Sequence, residues 1–255
     1  MTSIQIDAPV FLIFFVFILS FVPIHELSFR DQQLMYDRVF VAYQEKSEDV
    51  YSKLKKVGIQ RDDFEVFIRG FKFEEDLEVW AKNRDEHEYR LVTTYKFCQN
   101  IGDLGPKRKE GNKQIPEGVY SLSNFNPNSD FFLSLQVDYP NISDRILSDP
   151  RNPGGLIFIH GGCETIGCIP ITDNFIKELY VMCVEAKNNG QGDIPIHLFP
   201  ARLTDENFTL LKNQCNDQVV VDFWNQLKIG YQLFEDNKII PRTIINSKGD
   251  YLFFE

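Results

Sequence analysis

LIFIHGGCETIGCIPITD, from Leu156 to Asp173, changes character twice within one short stretch. Leu156 to His160 is a continuous apolar run that closes on a histidine, the pattern of a strand buried on both faces. Glycines begin where that strand stops, so His160 sits at the end of a rigid element and faces a soft turn. Thr172 or Asp173 then supplies the cap of a helix. In that helix Phe175, Ile176, Leu179, Met182, Cys183 and Ala186 share one apolar face before Asn189-Gly190 ends it. The nine residues His160 to Cys168 hold an imidazole and two of the chain's five cysteines.

Upstream, Arg30 to Val57 reads as helix, with Met35, Val39, Ala42, Val50, Leu54 and Val57 near helical spacing. The period then changes. FEVFIRGFKF (Phe64–Phe73) and DLEVWAKN (Asp76–Asn83) alternate apolar and polar residues as a hairpin does. YRLVTTYKFC (Tyr89–Cys98), GVYSLS (Gly118–Ser123), FFLSLQVDY (Phe131–Tyr139) and IPIHLFP (Ile194–Pro200) read as further strands. Thr204 to about Asp236 is mainly helical with a break near Asn216, and TIINSKGDYLFF closes the chain as a hairpin around Lys248-Gly249. Strands fill the middle and helices flank them, so the class is α+β.

At 255 residues the chain can bury a substantial core. A formal charge of −10 argues against a nucleic-acid partner, because phosphate binding relies on clustered Lys and Arg. The one dense basic cluster, Lys107-Arg108-Lys109, reads as a solvated loop. From Ala8 to Pro23 there is no charge. That run marks residues 1–25 as a signal peptide or an N-terminal membrane anchor, and hence an exported protein. Five cysteines leave at least one unpaired in an oxidising compartment.

Two chemistries and one structural reading fit the stretch from His160 to Cys168. A cysteine nucleophile needs a nearby base and backbone N–H donors aimed at the oxyanion that forms on the attacked carbonyl. His160, the glycines and Thr165-Ile166-Gly167-Cys168 supply those parts. A metal site would draw on His160, Cys163, Cys168 and His197, but H-x2-C-x4-C is not a usual zinc spacing. A glycine-rich structural turn is the remaining reading.

H-G-x-x-x-[S/T]-x-G-C followed by an aliphatic residue and a Thr-Asp helix start resembles the active-site loop of the L,D-transpeptidase (YkuD-type) family. The short His-to-Cys interval resembles its YafK-like branch. GPKRKEGNKQIPEGVYSL (Gly105–Leu122), SNFNPNSDFFLSLQVDYPNISDR (Ser123–Arg145), IPIHLFPARLT (Ile194–Thr204) and FWNQLKIGYQLFEDN (Phe223–Asn237) carry the same resemblance. It implies a β-rich catalytic domain of mixed sheets or a β-sandwich over residues 62–203. A helical lead-in at 28–60 and a helical extension with a terminal hairpin at 204–255 would pack on it.

The resemblance further implies Cys168 as nucleophile, His160 as its base, and Thr165 as a hydroxyl that steadies the loop. N–H groups around Gly167 and Cys168 would form the oxyanion site, with Gly161 part of the same loop, and Cys163 would be a bystander. The substrate would be a peptidoglycan stem peptide in the cell envelope, and no metal or organic cofactor is implied. Two departures stand out. Ile166 replaces a histidine usual just before the Gly-Cys pair, and Pro170 replaces an arginine that would hold a substrate carboxylate. Arg202 and His197 are the candidates to compensate, and Asn112 stands where the branch often has Asp. Hydrolysis with water as acceptor, and a non-catalytic wall-binding module, are the alternatives to transpeptidation.

Overall fold

The alternating pattern of Phe64–Phe71 (β1) and Asp76–Asn83 (β2) folds as an antiparallel hairpin, and Arg90–Lys96 (β3) adds to its outer edge. The polar residues of this alternation do not face water. Both strands are buried almost end to end, because Arg69 and Glu78, which face each other across the hairpin, are covered by the C-terminal helix. Gly118–Ser129 (β4) and Phe132–Val137 (β5) form a second hairpin, followed after a short helix Ile142–Leu147 (α3) by Ile157–His160 (β6) and the two-residue strand Ile169–Pro170 (β7).

Pro195–Phe199 (β8) joins the two hairpins. It lies parallel to β1 and antiparallel to the first residues of β4. The result is one mixed eight-stranded sheet in the order β3-β2-β1-β8-β4-β5-β6-β7. β4 is the seam: Gly118 to Ser121 pair with β8, whereas Leu122 to Ser129 pair with β5 through two irregularities in register. Such irregularities bend and twist a strand, and here they curl the sheet.

Helix Thr172–Asn188 (α4) packs on one face of this sheet. Its buried residues run Ile176 and then Glu178 through Ala186, wider than the single apolar stripe its sequence suggests. Helices Phe29–Leu34 (α1) and Asp37–Lys56 (α2) cover its outer side, with Val39, Ala42, Val50 and Leu54 turned inward. The expected continuous helix from Arg30 to Val57 is broken at Met35–Tyr36. Met35, read as an inward residue, is 73% exposed. Two buried carboxylates of α4 that periodicity does not reveal are met from outside: Glu178 by Lys53 and Tyr95, and Glu185 by Tyr43 and Arg30.

The opposite face carries Asp205–Gln214 (α5), Gln218–Asn237 (α6) and the closing hairpin Arg242–Ile245 (β9) with Tyr251–Phe254 (β10). Phe71, Phe199, Phe208, Trp224, Leu227 and Tyr231 form the core there. The chain is thus an α+β protein with a β-rich centre and flanking helices. The structure, a computed structural model, describes residues 27–255. The segment read as a signal peptide or anchor lies outside them. Among the described residues no helix is long and apolar enough to cross a membrane.

Candidate active site

β6 leaves the sheet at His160 and the chain comes back as β7, parallel to it, with Ile159 beside Ile169 and His160 beside Pro170. That return fixes the site. One residue before Ile169, Cys168 stands alongside Phe158, and residues two apart on a strand share a face. Cys168 and His160 therefore project to the same side, on neighbouring strands about 4.8 Å apart and about 7 Å along them. Both line a cleft of about 440 Å³ with Gln99, Phe131, Glu164, Thr165 and Ile166. Both also line an adjoining recess of about 240 Å³ toward Asn126, Ser129, Asp130, Ser134 and Phe158. Histidine and cysteine sit where the two lobes meet.

His160 is 2% exposed, and its Nδ1 lies 2.5 Å from the Gly161 carbonyl. A carbonyl can only accept, so Nδ1 carries the proton and Nε2 is left with a lone pair. Burial pulls the imidazole below its ordinary value, opposed by that hydrogen bond. The Phe131 ring packs on it with centroids 4.4 Å apart. Burial likewise pushes the Cys168 thiol up, against the opposing pull of the Phe158 backbone and the Lys107 charge. Its Sγ lies 3.6 Å from the Leu156 carbonyl. Burial thus opposes charge on the thiol and on the imidazole alike.

Thr165 holds the last turn of the loop. Its Oγ1 accepts from Gly167 N at 3.1 Å and Cys168 N at 2.8 Å, and donates to the Cys168 carbonyl at 2.9 Å. This revises the expectation for the oxyanion site: the two amides that were to receive negative charge are already occupied by the threonine hydroxyl. Gly167 has φ +126°, open to glycine and strained for other residues. Gly161 is required by space, since a Cβ there would lie 2.5 Å from both Asp173 Oδ1 and the Phe131 carbonyl. Its own N–H is spent on Leu133. Asp173 does not cap its helix as expected, and instead accepts from Gly162 N at 2.7 Å.

The two candidates for the missing arginine's work are placed elsewhere. Arg202 is held by Asp76 and Glu78 of β2. His197 lies on β8, 1% exposed, its ring edge-on to Phe67 at 4.8 Å, pushed down to about 3 by burial and by Arg69. Neither lines the cleft. Pro170 is buried in β7, and Ile166 is 77% exposed at the rim. The histidine and cysteine set weighed as a metal site is not assembled among the described residues.

Cys163 is joined instead to Cys98, at a Cα separation of 5.5 Å. Cys98 follows β3, and its N–H donates to the Pro170 carbonyl, so loop and returning strand are both fastened to it. Sequence reasoning missed this pair, along with Gln99, Phe131 and Lys107. Lys107, read as part of a solvated triplet, is 4% exposed. Its place inside the GPKRKEGNKQIPEG stretch was the available signal.

No family model matches the chain. A protein of Escherichia coli strain K12 named "Putative L,D-transpeptidase YafK" is 33% identical over 189 residues, 73% of each chain, and so is its counterpart in strain O157:H7. Among solved structures, the helical cell shape determining protein Pgp2 of Campylobacter jejuni is similar at 16% identity. It covers 77% of this chain and 80% of its own, with a TM-score of 0.44. Bd1075 of Bdellovibrio bacteriovorus is similar at 21% identity, over 69% and 62%, with a TM-score of 0.37. A β-rich α+β fold with a His–Cys loop at a strand end defines a YkuD-type domain, and the chain belongs to the L,D-transpeptidase family. Within it, the curated relatives place it with YafK.

Proposed function

We propose that this protein is a cysteine-dependent L,D-transpeptidase of the cell envelope that acts on peptidoglycan stem peptides. The reading is carried by one observation: the parallel return of β7 beside β6 sets Cys168 and His160 in the wall of one cleft, with His160 Nδ1 committed to the Gly161 carbonyl. Cys168 Sγ attacks the carbonyl of an amide between an L- and a D-centre while its proton passes to His160 Nε2. The C–N bond breaks, the amine leaves with that proton, and a thioester remains on Cys168. An amine of a second stem peptide then attacks the thioester, gives its proton to His160, and releases the sulfur, which is reprotonated. No step calls on a metal or organic cofactor.

Two lobes meeting at Cys168 suit this sequence, one for the acyl donor and one for the amine that replaces its leaving group. Water in the second lobe would give hydrolysis instead, through the same first step. Residues 62–203 carry the reaction in this reading, 204–255 pack upon them, and 1–25 direct export. The test is incubation of the purified protein with stem tetrapeptides, alone and with an amine acceptor, followed by mass spectrometry. Wild type should yield a thioacyl adduct on Cys168 and a cross-linked product, and Cys168→Ala neither, a loss of at least about 10³-fold. Product from Cys168→Ala would end the proposal, and equal binding without turnover in both would identify a wall-binding module.

A further inference from the structure

Buried charges in proteins are normally paired, because an ion removed from water without a partner is costly. Here Arg69 is met by Glu78 and Glu235, Lys72 by Glu117, Asp144 by Arg108, Glu178 by Lys53, and Glu185 by Arg30. Lys107 is the exception among the described residues. The residue is 4% exposed, its ammonium makes half-buried hydrogen bonds, and no carboxylate reaches it within ion-pair distance. Its Nζ donates to the side-chain oxygen of Asn112 at 2.7 Å and to the Lys109 carbonyl at 3.1 Å, both neutral. One N–H of the ammonium has no protein acceptor in this set.

The placement of that ammonium is tied to the nucleophile from two directions. Its Cε lies 3.0 Å from where a Cβ on Gly154 would stand, two residues before the Leu156 carbonyl that Cys168 Sγ approaches. Asn112 in turn donates to Gln114 at 2.6 Å, and the Gln114 carbonyl is 3.1 Å from the Cβ position of Gly167. The loop that carries the lysine is itself fixed. Tyr139 donates to the Lys107 carbonyl, and Glu110 N and the Arg108 carbonyl pair with Asn152 and Asp149. The charged or titratable groups that act on Lys107 are the Cys168 thiol and the exposed Glu110 carboxylate.

We propose that Lys107 is a positioning residue of the acyl-transfer site, whose fixed and unpaired ammonium holds negative charge on the Cys168 sulfur while the thiol proton passes to His160. This rests on reading Cys168 as the nucleophile. The need for it follows from the site's own electrostatics. Burial disfavours a thiolate at Cys168 and an imidazolium at His160 alike, so transfer between them creates two charges that the cleft resists. A preorganised cation whose charge acts on the sulfur lowers that cost without reorganising. The lysine keeps its own proton throughout. Asn112 is suited to the task, because a neutral acceptor orients the ammonium and leaves its charge uncancelled.

The experiment is iodoacetamide alkylation of the full-length protein over about pH 6 to 10, with the Cys168 peptide followed by mass spectrometry, since the thiolate is the reacting form. Lys107→Met removes the charge. Asn112→Asp keeps the lysine and its fold context but supplies a counter-ion. Both should raise the alkylation midpoint by about one pH unit, which slows alkylation roughly tenfold at neutral pH. Lys107→Arg should restore it in large part. An unmoved midpoint in Asn112→Asp and Lys107→Met overturns the proposal, whatever the turnover. A shifted midpoint in a protein that makes no product from stem tetrapeptides sinks the function reading and leaves the lysine's hold on the sulfur supported.

Discussion

Arg69 and Lys107 are both cations withdrawn from water, at 1% and 4% exposure, and they are treated in opposite ways. Around Arg69 the charge is closed. Glu78 accepts two of its N–H groups, Glu235 of α6 accepts a third, and the rings of Trp80 and Phe234 lie 4.9 and 4.5 Å from the guanidinium carbon. Arg202 and the Trp80 indole N–H spend what remains of Glu78. Around Lys107 the charge is left unbalanced, its ammonium held only by the neutral Asn112 side chain and the Lys109 carbonyl. A balanced cation fastens one element to another, here α6 to the first hairpin. An unbalanced one stores a field that something else must use.

That contrast can be broken at its strong end first. Arg69→Met leaves Glu78 and Glu235 facing an apolar replacement, and unfolding in urea should show a loss of about 3–5 kcal/mol, with the turnover of the remaining folded protein little changed. Lys107→Met, which strands no carboxylate, should cost far less stability in the same measurement. If the two lose equal stability, the distinction between closed and open charge fails.

His197 offers the next largest effect, through pH. Its folded value is pushed down to about 3 while the unfolded chain protonates near the ordinary 6.5, so between those limits the unfolded state holds more protons. Stability therefore falls as pH drops through that window, on the order of 3 kcal/mol between about pH 7 and 4. His197→Leu should flatten the profile by that amount. Asp144, pushed up to about 6, acts with the opposite sign and is common to both proteins, so their difference isolates the histidine. A parallel pair of profiles would show that His197 is not held neutral.

Thr165→Val removes the acceptor of two amides and the donor to one carbonyl in a single change. A loss of about 1–3 kcal/mol in thermal unfolding is expected, together with a fall in kcat/KM as the Cys168 turn loosens. Unchanged kcat/KM would mean that the turn holds itself. The smallest effect belongs to Arg202. Partly exposed and committed to Asp76 and Glu78, it should tolerate Arg202→Gln with turnover intact and about 1 kcal/mol lost. A KM raised tenfold or more would return it to the substrate's side.

What the sequence revealed follows from what is local. The strands β1 to β5, β6 and β8, the break between α5 and α6 and the closing hairpin are all written in short-range periodicity. That His160 and Cys168 would come to one cleft was legible because a strand end, two glycines and a short interval lie together in the chain. The rest depends on contacts between distant residues. Met35 fits a helical stripe, but nothing packs over it. Arg69 and Glu78 fit the outward positions of a hairpin, but α6, more than a hundred residues later, covers them. Arg202 looked available because its partners lie on β2. Lys107 looked solvated because its neighbours Arg108 and Lys109 are also basic. The Thr165 hydroxyl suggested a steadied loop, and its cost, the loss of both expected oxyanion donors, is visible only in three dimensions.

The Cys98–Cys163 bond closes a ring of chain, 65 residues apart in sequence, that contains β4, β5, α3 and β6. In the chain-entropy picture a ring of that length is worth about 4 kcal/mol. Reductants such as dithiothreitol, the usual means of keeping a free thiol from oxidising, would cut this bond while protecting Cys168. A preparation made under such conditions would present a fully reduced Cys168 on a loop that has lost its covalent moor, and inactivity there would say nothing against the proposed role of that sulfur.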